Sequence, residues 1–111
     1  MKLKKGSLVW ANLPEAEGSV QQGARPCLCL GNEKGLQNSN VVTVIPLTKH
    51  KKAMHLPVHV LIPEHPLPKE SVAMAEQITT ISKDAIVRIV GMLDPVYLQK
   101  VEKAILLQLG I

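Results

Sequence analysis

The chain lacks any long apolar run, and this excludes a membrane-spanning helix. Among its 111 residues no apolar stretch reaches the ~18 residues that such a helix needs. The first six residues include three lysines, but the apolar stretch of a signal peptide does not follow them. We therefore expect a soluble, cytoplasmic protein with no membrane contact.

Cysteine is also scarce, because the chain has only Cys27 and Cys29. Two residues apart on a strand, their side chains face the same way, and cysteines at this spacing rarely have disulfide geometry. A zinc site needs further Cys or His ligands at a suitable spacing, which the sequence does not offer. The pattern predicts two buried thiols, no metal site and no cofactor.

Internal repeats, low-complexity tracts and Gly/Ser linkers are absent as well, so the sequence predicts a single domain over residues 1–111. Hydrophobic residues make up 46% of the chain, which is enough for one core. The net charge of +4 favours encounters with a polyanion but identifies no site.

Apolar segments separated by turn residues predict a mainly β fold. Val41 and its successors form the most β-branched segment, which is typical of a central strand. In the fourth segment, alternation predicts that Val58 and Val60 face the core and that His59 lies opposite. Strands are predicted over residues 7–13, 25–30, 41–45, 56–62, 71–75, 76–81 and 87–92, with a turn over 31–35.

One helix is predicted at the end of the chain. Asp94 precedes Pro95, which is the pattern of an N-cap followed by the first helical position, and Gly110 is suited to end the helix. Ser82 is expected to cap a single helical turn. The apolar stripe of the helix consists of Leu98, Val101, Ile105 and Leu109. Short strands followed by one helix indicate an α+β chain built as a small barrel with a C-terminal helix.

Arg25 lies at the start of the second strand and directly follows a polar, glycine-containing loop. An arginine held by strand pairing offers a planar fork of donors that fits two phosphate oxygens, and Thr48, at the end of the third strand, can reach the same phosphate. Positive charge is added by a basic loop of Lys49, His50, Lys51 and Lys52. A solvated strand-end arginine beside an ordinary loop is the alternative.

Several short motifs, taken in order, resemble the MazF/PemK family of toxin endoribonucleases over nearly the whole chain. The motifs are Lys5-Gly6, Gly18-Ser19 with Gln21 and Gly23-Ala24-Arg25-Pro26, Pro46-Leu47-Thr48, the segment 56–60, Ser71-Val72, the segment 76–81, and the helical segment 101–105. The family's SH3-like barrel also occurs in the CcdB toxins.

The resemblance implies a homodimer, a single-stranded RNA substrate bound across the two-fold groove, and a cognate antitoxin that blocks this groove. It also implies metal-independent cleavage, in which the positions of Arg25 and Thr48 are the catalytic ones. Attack by the RNA's own 2′-hydroxyl would leave a 2′,3′-cyclic phosphate and a 5′-hydroxyl. Because an arginine pKa above ~12 leaves almost no neutral base at pH 7, we assign Arg25 to electrostatic stabilisation. The general base stays unassigned.

Further RNA contacts are expected outside the catalytic pair. Trp10, the sole tryptophan, offers a stacking face to an unpaired base, with core packing as the alternative. Gln77 is a poor core residue unless it has a hydrogen-bond partner. Polar loop residues can read base edges, with turn chemistry as the alternative. The RNA-binding candidates are Trp10, Ser19, Gln21, Asn32, Lys49 and Gln77.

Two other functions remain open at this stage. Thr79 stands where many family members carry Arg or Lys, so a catalytically degenerate member that binds RNA or an antitoxin is one alternative. A CcdB-like toxin that binds gyrase through its terminal helix is the other. The gyrase-binding toxin is separated from a nuclease by where inactivating substitutions fall, over residues 107–111 or around Arg25. The degenerate member is separated from it by RNA affinity without cleavage.

Overall fold

The computed structural model describes residues 2–49 and 56–111, which form seven strands and two helices. The strands are β1 (Ser7–Leu13), β2 (Gly23–Leu30), β3 (Val41–Thr48), β4 (His59–Ile62), β5 (Ser71–Met74), β6 (Thr79–Ser82) and β7 (Ile86–Met92). The helices are α1 (Glu33–Asn38) and α2 (Pro95–Leu109), and single 3-10 turns span Ala75–Gln77 and Lys83–Ala85.

The strands form one antiparallel sheet in the order β4-β5-β3-β2-β1-β7. β3 is central, as predicted, because β2 pairs along one side while β6 and β5 pair in succession along the other. The expected mainly β fold with a C-terminal helix is confirmed. Within the described residues the strand path has two ends, β4 and β7, so the sheet is an open barrel rather than a closed one.

Both faces of β2 and β3 are buried over most of their length, which explains why these strands read as nearly continuous apolar runs. Neighbouring residues of a strand point to opposite faces, so Leu28 belongs to one apolar cluster while Cys27 and Cys29 belong to another. The Leu28 cluster includes Val101 and Ala104 of α2, which packs on this face. Burial on both faces fixes the strand register, because a shift by one residue would exchange the two faces.

The ends of α2 follow the sequence signals. The side chain of Asp94 accepts a hydrogen bond from the backbone N–H of Val96 at 2.9 Å. Gly110 adopts φ +73°, the left-handed conformation that favours glycine after a helix. The predicted stripe is only partly right, because Leu109 is exposed and Ala104 is buried in its place. Ser82 caps the turn Lys83–Ala85 as predicted, accepting from the Asp84 backbone N–H at 3.1 Å.

Three local predictions are wrong. β4 begins only at His59 and not at residue 56. His59 lies on the face opposite Val60, as predicted, and is buried there against Glu76. The predicted strand over 76–81 starts as the 3-10 turn Ala75–Gln77, and β6 follows it. The predicted turn over 31–35 continues into α1, because the Asn32 side chain accepts from the Gly35 backbone N–H and caps the helix.

Part of the predicted basic loop, His50, Lys51 and Lys52, lies outside the described residues, as does His55. Neither helix in the described part of the chain is long and apolar enough to span a membrane.

The two cysteines are free thiols with 0% exposure. Burial raises the pKa of Cys27 to about 12, with a smaller upward contribution from Cys29 and an opposing one from Arg25. Burial likewise raises the pKa of Cys29 to about 11. The prediction of buried thiols is therefore confirmed, and at neutral pH neither thiol provides a thiolate nucleophile.

These thiols should make the protein less stable in alkali. An unfolded thiol ionises near pH 8.5, whereas the folded thiols stay protonated, so the unfolded state binds fewer protons and stability falls as pH rises. The expected loss between pH 8 and 10 is up to about 2 kcal/mol for each thiol. Urea unfolding at both pH values measures it. The Cys27→Ala/Cys29→Ala double variant should lose less, and equal losses in the two proteins would contradict this account.

Candidate active site

Arg25 and Thr48 line the same surface cavity of about 220 Å³. Antiparallel pairing of β2 with β3 places the start of β2 beside the end of β3, and Arg25 lies near the first of these ends while Thr48 lies at the second. Both side chains are half-buried. The cavity is lined by Trp10, Ala24, Arg25, Pro26, Leu47, Thr48 and Lys49.

The Arg25 guanidinium is held by the loop that precedes β2. Its Nε donates to the backbone oxygen of Gln22 at 3.2 Å, and its Nη1 donates to Oε1 of Gln21. A guanidinium has five N–H donors. Two of them are used in these bonds, so within the described structure the remaining donors are available to an anion in the cavity.

Trp10 and Lys49 line the same cavity, and Arg88 of the edge strand β7 lies over Trp10 without lining the cavity itself. Arg88 pairs with Trp10 in the β1–β7 register, and its Cζ lies 5.8 Å from the centroid of the indole ring. This is within the range of a cation–π contact. The sequence analysis missed Arg88, because the register of β7 against β1 contains irregularities that no local pattern reveals. The only sequence feature that could have pointed to Arg88 is that the chain has just two arginines, Arg25 and Arg88.

Ser19, Gln21 and Gln77 come together next to this cavity. The Gln77 Oε1 accepts from the Gln21 backbone N–H at 3.2 Å, and its Nε2 donates to the backbone oxygen of Ser19 at 3.0 Å. Gln77 thus has the partners that a polar residue at this position requires. Gln77, which was predicted to read base edges, uses its side-chain amide to hold the loop between β1 and β2, and the Gln21 side chain bonds to Arg25.

Asn32 lies elsewhere. Its side chain caps α1, and it lines a separate groove of about 500 Å³ between the β2–α1 turn and α2. Apolar residues of that groove include Leu30, Ile78 and Ile105. The charged residues of the larger groove, Lys5 and Glu102, pair with each other at 3.1 Å, whereas the Arg25 cavity combines two cations, a hydroxyl and an aromatic ring with no acidic side chain among its described lining residues.

The described histidines do not line the Arg25 cavity. His59 is buried, with Nε2 2.6 Å from Oε2 of Glu76, and His65 is exposed in the loop after β4. No group of three or more His, Cys, Asp or Glu side chains that could hold a metal ion occurs within residues 2–49 and 56–111. What the cavity offers chemically is a fixed guanidinium and a hydroxyl, which suit an anion whose charge grows during reaction.

This chain is similar to known proteins over nearly its whole length. The family described as the PemK-like, MazF-like toxin of type II toxin-antitoxin systems matches residues 4–109. The endoribonuclease EndoA of Bacillus subtilis is 32% identical over 113 residues, covering 100% of this chain and 97% of that protein.

Solved structures show the same fold. MazF from Deinococcus radiodurans superposes with a TM-score of 0.87 at 23% identity, covering 100% of this chain and 99% of that one. A mycobacterial endoribonuclease in complex with its cognate antitoxin gives a TM-score of 0.77 at 25% identity, covering 96% and 94% of the two chains. The chain belongs to the family of PemK-like, MazF-like toxins of type II toxin–antitoxin systems.

Proposed function

We propose that this chain is the toxin of a type II toxin–antitoxin pair and cleaves single-stranded mRNA in the cytoplasm, sequence-selectively and without a metal ion. Its family and its relative EndoA support endoribonuclease activity. The observation that carries the proposal is the shared cavity of Arg25 and Thr48, in which the guanidinium is already oriented by hydrogen bonds.

The proposed reaction begins with in-line attack of the substrate's 2′-hydroxyl on the adjacent phosphorus. The P–O5′ bond breaks, and the products are a 2′,3′-cyclic phosphate and a 5′-hydroxyl. Arg25 stabilises the charge that develops on the phosphoryl oxygens, and Thr48 donates a hydrogen bond to a non-bridging oxygen. The proton of the attacking 2′-hydroxyl passes to a water molecule. The resting guanidinium is protonated, so Arg25 can also donate a proton to the leaving 5′-oxygen and then regain one from solvent.

Trp10, Lys49 and Arg88 extend the binding surface beyond the reacting phosphate. Two cations beside the cavity attract the phosphates on either side of the scissile one, and the half-buried indole offers a face on which an unpaired base stacks. Single-stranded RNA is the substrate class this combination fits, because paired bases do not present their faces.

We further propose two protein partners, a second copy of this chain and a cognate antitoxin. The antitoxin is supported by the mycobacterial complex, whose endoribonuclease is 25% identical to this chain. The homodimer is supported by the family resemblance and by large apolar side chains left exposed on β7 and α2, which a partner surface would cover. These are Val87, Ile89, Met92, Val96, Leu106, Leu107 and Leu109.

The cleavage proposal predicts discrete RNA fragments with 5′-hydroxyl ends when the purified protein is incubated with a long RNA in EDTA. Arg25→Ala should cut at least 10²–10³-fold more slowly, because it removes a preorganised donor of this type. Lys100→Ala is the matched control, since it removes one cation on α2, where Lys100 lies over Tyr97.

Three outcomes would overturn parts of this assignment. Equal cutting by Arg25→Ala would remove Arg25 from the chemistry. Cutting only after Mg²⁺ is added would refute metal independence. RNA affinity without any cleavage would identify the chain as a degenerate, RNA-binding family member.

Stacking on Trp10 predicts a change in the protein's fluorescence, because the chain has a single tryptophan. A DNA oligonucleotide, which lacks the attacking 2′-hydroxyl, should quench that emission without being cut. Trp10→Ala should weaken binding by about 1–3 kcal/mol in a titration followed by anisotropy, and Trp10→Phe by less. Unchanged affinity in Trp10→Ala would show that the indole serves only packing.

A further inference from the structure

The loop between β1 and β2 is held by one side chain from a distant part of the sequence. Gln77, in the 3-10 turn between β5 and β6, accepts from the Gln21 N–H and donates to the Ser19 carbonyl, at 3.2 and 3.0 Å. Its amide therefore bonds to the loop backbone on both sides of Val20. A cavity of only about 70 Å³ separates the loop from the strand ends beneath it, and Gln77 lines that cavity.

The loop in turn holds Arg25. The side chain of Gln21 accepts from Nη1, and the backbone oxygen of Gln22 accepts from Nε. Gln21 is itself bonded to Gln77, and Gln22 is the next residue in the chain. The orientation of the guanidinium thus depends on a series of hydrogen bonds that runs from Gln77 through Gln21 to Arg25.

Gln77 itself stands on a well-anchored turn. Its neighbour Glu76 contacts the buried His59 ring of β4 at 2.6 Å. The Ala75 N–H donates to the Val58 carbonyl at 3.2 Å, and the Ile78 N–H closes the turn on the Ala75 carbonyl at 3.2 Å. A support tied to β4 in this way does not move with the exposed loop, so it can hold that loop in one position.

We propose that Gln77 is a positioning residue for Arg25, acting through Gln21, rather than a reader of RNA bases. This inference rests on the proposed nuclease function. An unrestrained arginine side chain has many rotamers, and aiming it during each reaction would cost conformational entropy. The hydrogen bonds from the loop restrict that freedom before RNA arrives, so their loss should slow the chemical step more than it weakens RNA binding.

The first test compares Gln77→Ala with the parent protein on a short RNA in EDTA. The expected result is a fall in kcat of about 10- to 100-fold, the size of effect that a small misplacement of a reacting group produces. KM, and the affinity for a DNA analogue of the same sequence, should change less than about threefold. Gln21→Ala should show the same pattern.

Gln37→Ala is the matched control. Gln37 also donates from its side chain to a backbone oxygen, that of Leu3, at 2.6 Å, but it lies on α1, away from the Arg25 cavity. Its kcat should equal that of the parent. Unchanged kcat in Gln77→Ala would overturn the proposal, as would an equal fall in the Gln37 variant.

A second test separates positioning from direct contact with RNA. In an Arg25→Ala background, adding Gln77→Ala should leave the affinity for RNA unchanged, because the side chain that Gln77 positions is already gone. A further loss of affinity in that background would mean that Gln77 contacts the RNA itself and would overturn the proposal.

The third test does not depend on nuclease activity. The chain has two arginines, so the Nε–H signals in a ¹⁵N-resolved spectrum number two and Arg88→Lys assigns them. The Arg25 Nε–H, bonded to the Gln22 carbonyl, should exchange with solvent faster in Gln77→Ala and at the parent rate in Gln37→Ala. Unchanged exchange in Gln77→Ala would refute the positioning role even if the protein cut no RNA.

Discussion

The antiparallel pairing of β2 with β3 is the constraint on which the site depends. It brings residues 25 and 48 together at the ends of two neighbouring strands, although 23 positions separate them in sequence. The pairing is fixed because both faces of these strands are buried, with Leu28 and Ile45 in one apolar cluster and Cys27 and Val44 in the other. A shift of register would exchange the two clusters, so the apolar core holds the proposed catalytic pair, Arg25 and Thr48, in place.

Strand pairing fixes the backbone of Arg25 but leaves its long side chain free to rotate. The side chain is held by hydrogen bonds from the loop before β2, and Gln77 holds that loop. Each neutral hydrogen bond of Gln77 contributes only about 1 kcal/mol, and each charge-assisted bond of the guanidinium contributes about 1.5–3 kcal/mol, which is enough to bias a flexible side chain toward one orientation. The core and the loop therefore have different roles, since the core places the backbones of Arg25 and Thr48 and the loop orients the Arg25 side chain.

The accuracy of the sequence predictions follows from how local each signal is. The bounds of β1, the Asp94 cap, the end of α2 at Gly110 and the Ser82 cap were predicted correctly, because each depends on neighbouring residues. The burial of His59 was not predicted, since a buried histidine needs a partner and Glu76 is 17 residues away. The short helix α1 was missed because a cap such as Asn32 is equally typical of a turn.

The sequence by itself determined the family, the mainly β fold with its terminal helix, and the pair Arg25 and Thr48 as candidates, because apolar runs, caps and family motifs are written in consecutive residues. Tertiary structure alone decided which polar residues surround that pair. It brought Arg88 over Trp10, placed Asn32 at another groove, and turned Gln77 toward the loop. Such contacts join residues far apart in sequence, and their partners are known only once strand order and register are set.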